Sequence, residues 1–279
     1  LSRDFGNDEE WQEDPSKIHL IETESTADSR PVTHFVDQFN RIVVLGVPGA
    51  GKTTLIHFLA GQAAARKRGD VDLPIVVRLP EYSLALEDQP NLNFIDWVVS
   101  QAEASGCENT GPAFRAMLEE SPASIELLLD GLDEVPDGGS TAGQSSRRKV
   151  VDSIESFIRL HPSHRFVLTS RFNGFNHFPW TQLGFKQIRL QEYGEKQIHE
   201  VVSKWARVLA SSKTEPAERI ENELKDAIFG NFRIRQLAGN PLILTILILM
   251  CKARGYALPR RRVDLYDKIT EVFLDTWEA

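Results

Sequence analysis

The chain has 279 residues, 41% of them apolar and 15 of them Phe, enough for one large domain or, better, two of ordinary size with a sizeable core. Its formal charge of −8 is uneven: residues 1–30 hold nine acids against three bases, a net of −6, which leaves only −2 for the remainder. A near-neutral body argues against a broad nucleic-acid-binding face, and no apolar run reaches the length of a membrane span, the longest being Leu242 to Cys251.

Residues 1–30 mix acids with Ser, Thr and Asn and read as a loosely ordered leader or linker. They lack the basic, apolar and small-residue pattern of a secretion signal, and the absence of an initiator Met is what a fragment of a longer polypeptide would show. Cys107 and Cys251 stand apart with no metal spacing, as reduced cysteines of a cytoplasmic protein do. Val32, Phe35, Val36 and Phe39 predict a short helix, and Ile42 to Leu45 a first strand.

Gly46-Val47-Pro48-Gly49-Ala50-Gly51-Lys52-Thr53-Thr54 comes next, followed by the amphipathic run Leu55, Ile56, Phe58 and Leu59. Strand, glycine-rich turn and helix are the context that a phosphate-binding loop requires. Small residues let successive N–H groups converge on one anion, and the helix beginning near Lys52 adds its positive end. Lys52 is placed to span the outer phosphates of a nucleoside triphosphate, and the Thr53 hydroxyl to ligate magnesium. The pattern arises by chance in roughly one chain in a hundred of this length, so with these flanks an ordinary glycine turn is the weaker reading.

Arg66-Lys67-Arg68-Gly69-Asp70 is a basic helix end with a glycine stop. Leu73 to Leu79 predicts a second strand, Leu92 to Ala104 and Ala113 to Glu119 two helices, and Ile125 to Asp130 a third strand. Pro136 to Gly143 reads as a mobile loop and Gln144 to Leu160 as a helix. Arg165 to Ser170 and Phe185 to Leu190 are the fourth and fifth strands. Strands alternating with helices predict a five-stranded parallel sheet flanked by helices. Past Tyr193 no strand pattern remains, and Ile198, Val201, Val202, Trp205, Val208 and Leu209 keep a helical period, as do Tyr266, Ile269, Phe273 and Trp277. The expected organisation is a leader (1–30), an α/β nucleotide-binding domain (31–192) and a small helical domain (193–279).

Asp130 ends an apolar strand, where the acid that holds a magnesium hydration shell belongs. Asp133 and Glu134 follow within a turn, and one of them is suited to orient or deprotonate the attacking water; spacing does not decide which. Arg171 emerges at the carboxyl end of the fourth strand, where it can read the terminal phosphate, the plainer alternative being a surface salt bridge. Gly239-Asn240-Pro241 before the apolar helix Leu242 to Met250 is ordinary capping grammar. Arg260-Arg261-Arg262 reads by default as a solvated helix start, and His161 with His164 completes no transition-metal set.

Four stretches in this order, GVPGAGKTT, LLLDGLDEV, VLTSRF and GNPLILTIL, together resemble a NACHT module of the STAND class of P-loop signalling ATPases over roughly residues 32–279. DGxDE after an apolar strand is the most telling, and the ending ALPRRRVDLYDKITEVFLDTWE is similar to bacterial members. The resemblance implies that Gly46 to Thr54 bind ATP or ADP and that Asp130 and Thr53 serve Mg2+. It makes Asp133 and Glu134 the water-orienting pair, Arg171 the sensor of the third phosphate, and Pro241 a contact to the base from the helical domain. It further implies slow hydrolysis, self-association through the nucleotide-binding domain, and winged-helix, sensor and effector domains beyond this chain. A role in innate immunity or anti-phage defence would follow, with no membrane or nucleic-acid partner. The alternatives are a AAA-type remodelling or loader ATPase, a GTPase (although the base-reading NKxD run is missing) and a small-molecule kinase, for which an all-helical tail is an odd lid.

Overall fold

The computed structural model describes residues 30–65, 73–104, 106, 110–120, 125–137, 145–175, 180–210 and 216–253. The acidic leader, Arg66 to Asp70, Cys107, residues 138–144 of the glycine-rich loop, Arg260 to Arg262 and the Tyr266–Trp277 period lie outside them.

Five strands form one parallel sheet: β1 (Arg41–Leu45), β2 (Leu73–Arg78), β3 (Ile125–Asp130), β4 (Arg165–Ser170) and β5 (Lys186–Arg189). Their order across the sheet is β2-β3-β4-β1-β5. The strand that leads into the phosphate loop is therefore separated from the strand that ends on Asp130 by β4. All six residues of β3 are buried, and so are Ile42 to Leu45, because helices cover both faces.

The two-residue period divides the strands cleanly between two cores. Val43, Leu45, Leu127, Leu129, Phe166 and Leu168 pack on one side. There they meet α3 (Leu79–Asp88), α4 (Phe94–Ala104), α5 (Thr110–Glu120) and α6 (Ser146–Leu160) through Tyr82, Trp97, Phe114 and Phe157. Ile42, Val44, Leu128 and Val167 face the other way, against Val36 of α1 (Val32–Gln38) and Ile56 and Leu59 of α2 (Lys52–Ala64). Glu126 and Arg165, both near the amino-terminal edge of the sheet, approach to 3.7 Å.

Two elements depart from expectation. Strand β2 stops at Arg78, and Leu79 opens helix α3 where the sequence reading has the strand continue. Pro80 in the first turn costs the helix nothing, since its missing N–H has no partner there in any case. Helix α7 (Phe172–Phe175) is a single turn after β4, too short to leave a periodic signal.

A third core lies outside the sheet. It joins α8 (Glu195–Ala210), α9 (Ala217–Phe229), α10 (Phe232–Leu237) and α11 (Pro241–Ala253). Ile198, Val202, Ala206 and Leu209 of α8 meet Ile220, Leu224 and Ile228 of α9 and Leu244, Leu247 and Cys251 of α11. Burial pushes the Cys251 thiol up to about 12, as for an inert core cysteine. No described helix is long and apolar enough to cross a membrane.

Candidate functional site

The glycine turn between β1 and α2 takes its shape from two residues in left-handed backbone, Gly49 (φ 75°) and Gly51 (φ 89°). Gly46 N–H donates to Ser170 O of β4 at 3.3 Å and Ala50 N–H to Val47 O at 3.1 Å, which closes the curl. Gly51 caps α2 without any side-chain bond, and Leu55 N–H, onto Gly51 O, is the first amide of the helix to close a turn. The amides of Lys52, Thr53 and Thr54 are accepted by no group among the described residues, so the positive end of α2 is open to an anion. Lys52 Nζ donates to Gly46 O at 2.9 Å and to Val47 O at 3.3 Å. Burial lowers the Lys52 ammonium below its usual value; Asp133, Asp130 and Glu134 raise it and Arg171 lowers it. Those four side chains are thus near enough to act on the lysine through space.

The two glycines differ in what surrounds them. A Cβ on Gly51 meets nothing, whereas on Gly49 it would lie 2.7 Å from Asn240 Oδ1 and 2.9 Å from Leu242 Cβ. Gly51→Ala is expected to cost about 1–2 kcal/mol from backbone strain alone, and Gly49→Ala at least about as much again from the collision. Thermal unfolding of both variants without ligand measures the difference, and equal midpoints would refute it.

The acidic turn is built on the same economy of small residues. Gly131 (φ 82°) turns the chain out of β3 into a 3-10 turn over Leu132–Glu134. Leu132 and Val135, three apart and both fully buried, plug the turn into the core and leave Asp133 and Glu134 on its outer side. Arg147 of α6 braces the loop from behind: its Nη2 donates to Val135 O at 2.8 Å and its Nη1 to Asp137 Oδ2 at 3.1 Å.

Asp130 is buried and accepts from Thr169 Oγ1 at 2.6 Å. Asp133 is engaged through both oxygens by one residue: Arg171 N–H donates to Oδ1 and Arg171 Nε to Oδ2, each at 2.9 Å. The Asp133 side chain is 8% exposed and that of Arg171 50%. Arg171 is therefore ion-paired within the cluster, as the salt-bridge alternative has it. Glu134 is exposed, its Oε2 lying 3.3 Å from where a Cβ on Gly131 would stand, and no described residue pairs with it. Thr53 and Thr54 lie exposed on the first turn of α2.

The helical unit reaches into this cluster. Asn240 caps α11, its Oδ1 accepting from Leu242 N–H at 3.0 Å and Ile243 N–H at 3.3 Å. Its amide Nδ2 also donates to Pro48 O at 2.9 Å, and Leu242 N–H donates to Gly49 O at 3.2 Å. Tyr193 N–H to Gly239 O (2.8 Å) ties the same corner to the segment after β5. Pro241 is half-buried beside the loop. Sequence reasoning treats Asn240 as a cap alone and misses Thr169 and Arg147; nothing local marks any of the three for a second partner.

The donor set suits a magnesium–phosphate group. It combines an uncapped helix start, a lysine drawn into the loop, a buried carboxylate with one oxygen already held, and a threonine hydroxyl facing out. Asp130 and Thr53 are the residues that would hold the cation.

A family model described as NACHT domain matches residues 40–208. No curated protein matches the chain by sequence. Among solved structures it is similar to a RuvB variant of Thermotoga maritima (15% identity, TM-score 0.41, covering 86% of this chain and 65% of that one). It is similar also to Hsp104 of S. cerevisiae in an ADP complex (12%, TM-score 0.49, 81% and 30%) and to PCH-2 of C. elegans (12%, TM-score 0.48, 87% and 65%). The chain thus spans between 30% and 65% of the length of these solved proteins.

Proposed function

Because the chain belongs to the NACHT domain family of P-loop NTPases, we propose that it binds ATP with magnesium, hydrolyses it slowly, and serves as a signalling switch. In its full-length context this switch would self-associate to activate an effector in innate immunity or anti-phage defence, acting in the cytoplasm. The observation that carries the reading is the convergence of Lys52, Asp130, Asp133, Glu134 and Arg171 on one phosphate loop that Asn240 ties to the helical unit. A nucleotide in that loop would sit where the two units meet, and its state would bias how they dock.

In this proposal each residue has a task that its placement supports. Backbone N–H groups of Lys52, Thr53 and Thr54 bind the phosphates, and Lys52 Nζ leaves the loop carbonyls to span the outer pair. Magnesium, when bound, would neutralise charge on those phosphates. Glu134, exposed and unpaired among the described residues, takes a proton from the attacking water. Asp133 aims Arg171, so the guanidinium is held ready for the terminal phosphate.

Arg171→Ala is expected to weaken ATP about tenfold while leaving ADP within about twofold, since only ATP carries the group that a guanidinium there would read. Titration with both nucleotides checks this, and equal loss for the two would remove the sensor role. The functional proposal as a whole is tested by magnesium-dependent adenine-nucleotide binding, with turnover and molecular mass measured on the same sample. Slow turnover supports the switch; fast turnover stimulated by a polymer would favour a remodelling ATPase.

A further inference from the structure

Thr169 is fully buried on β4, one residue past the last registered pair between β3 and β4, Leu129 with Leu168. Two polar groups of the neighbouring strand end converge on its hydroxyl. Gly131 N–H can only donate, and it does so to Thr169 Oγ1 at 2.9 Å. The proton of the hydroxyl itself is then left for Asp130 Oδ1, 2.6 Å away. The direction of both bonds follows from the chemistry of the outer partners. A side chain branched at Cβ is stiff about χ1, so this hydroxyl is held in place by its own backbone. The left-handed turn at Gly131 aims the N–H back at β4, and one oxygen of Asp130 is committed before any cation arrives.

We propose that Thr169 is a positioning residue for Asp130: it holds the carboxylate in one rotation, leaving Oδ2 as the oxygen offered to a magnesium–nucleotide complex. The inference rests on the nucleotide reading above and adds to it the strand that sets the acid. Partners that orient a metal-shell carboxylate spare it the freedom that it would otherwise lose on binding, and their loss weakens metal affinity about 10–100-fold. A hydroxyl that merely satisfied buried groups would affect folding alone.

The experiment measures ATP affinity in excess magnesium and in EDTA for the wild-type chain, Thr169→Val and Thr169→Ser, with thermal midpoints taken without ligand. Valine keeps the shape and removes the hydroxyl; serine keeps the hydroxyl and removes a methyl. The expected result is that Thr169→Val loses about tenfold or more of the affinity gained from magnesium, while its affinity in EDTA stays that of the wild type. Thr169→Ser should recover most of that gain. A valine variant that keeps the full gain overturns the proposal, as does parallel loss in magnesium and EDTA. If valine does not fold, a serine variant with wild-type gain supports the role and one without the gain overturns it. A wild-type chain that binds no nucleotide in either condition takes down the nucleotide reading and this inference together. A wild-type chain with a magnesium gain that valine retains takes down only the inference.

Discussion

Lys52→Ala is expected to lower ATP affinity by more than about a hundredfold, because it removes the charged donor that lies within the phosphate loop, where the other donors are neutral amides. The side chain already lies within the loop, on the carbonyls of Gly46 and Val47, so little reorganisation stands between that position and an outer phosphate. Its ammonium is lowered by burial, with Asp133 the foremost of the carboxylates that work against the shift. An anionic ligand would add to the carboxylates and favour the charged form further, which is the sense required for tight binding. Among the described residues the lysine ammonium hydrogen-bonds only to backbone carbonyls of its own loop, so the variant should unfold within a few degrees of the wild type. Isothermal titration with ATP measures the loss; affinity within about threefold of the wild type would place the phosphates elsewhere.

Glu134→Ala should behave in the opposite way, binding ATP nearly as the wild type does while hydrolysis falls by about 10²–10⁴. The distinction from Asp133 rests on occupancy. Both Asp133 oxygens are taken by Arg171, through its backbone amide and its guanidinium, whereas Glu134 stands exposed on the same turn. A base must be free to accept a proton, and an acid already paired at both oxygens is a poor one. Single-turnover hydrolysis with preloaded ATP separates the steps. If Glu134→Ala left the rate intact, Asp133 would have to leave Arg171 and act as the base.

Much of this arrangement is legible in the chain because it is local. The phosphate loop, the strand before it and the helix after it are contiguous, and Asp130 declares itself by ending a run of apolar residues. All five strands sit within a residue or so of where their β-branched and apolar runs suggest. What is not legible is order across the sheet. Nothing in LLLDGLDEV or VLTSRF says that β4 lies between β1 and β3, yet that placement alone brings Thr169 to Asp130 and Arg171 to Asp133. Asp133 and Glu134 are adjacent in sequence and equivalent by spacing; only the buried anchors Leu132 and Val135 and the pairing with Arg171 set them apart. Helix α3 escapes notice because proline after a strand reads as a break, although the first turn of a helix tolerates it.

The side chain of Asn240 has no slack. Its oxygen is committed to the opening turn of α11 and its nitrogen to the carbonyl of Pro48, and that oxygen sits where a side chain on residue 49 would have to go. If residues 47–49 change their curl, either the first turn of α11 frays or the helix travels with them. The molecule would then need no lever arm between occupancy and movement: one carboxamide gears the loop to the helical unit, and its torque is felt within a single residue's reach.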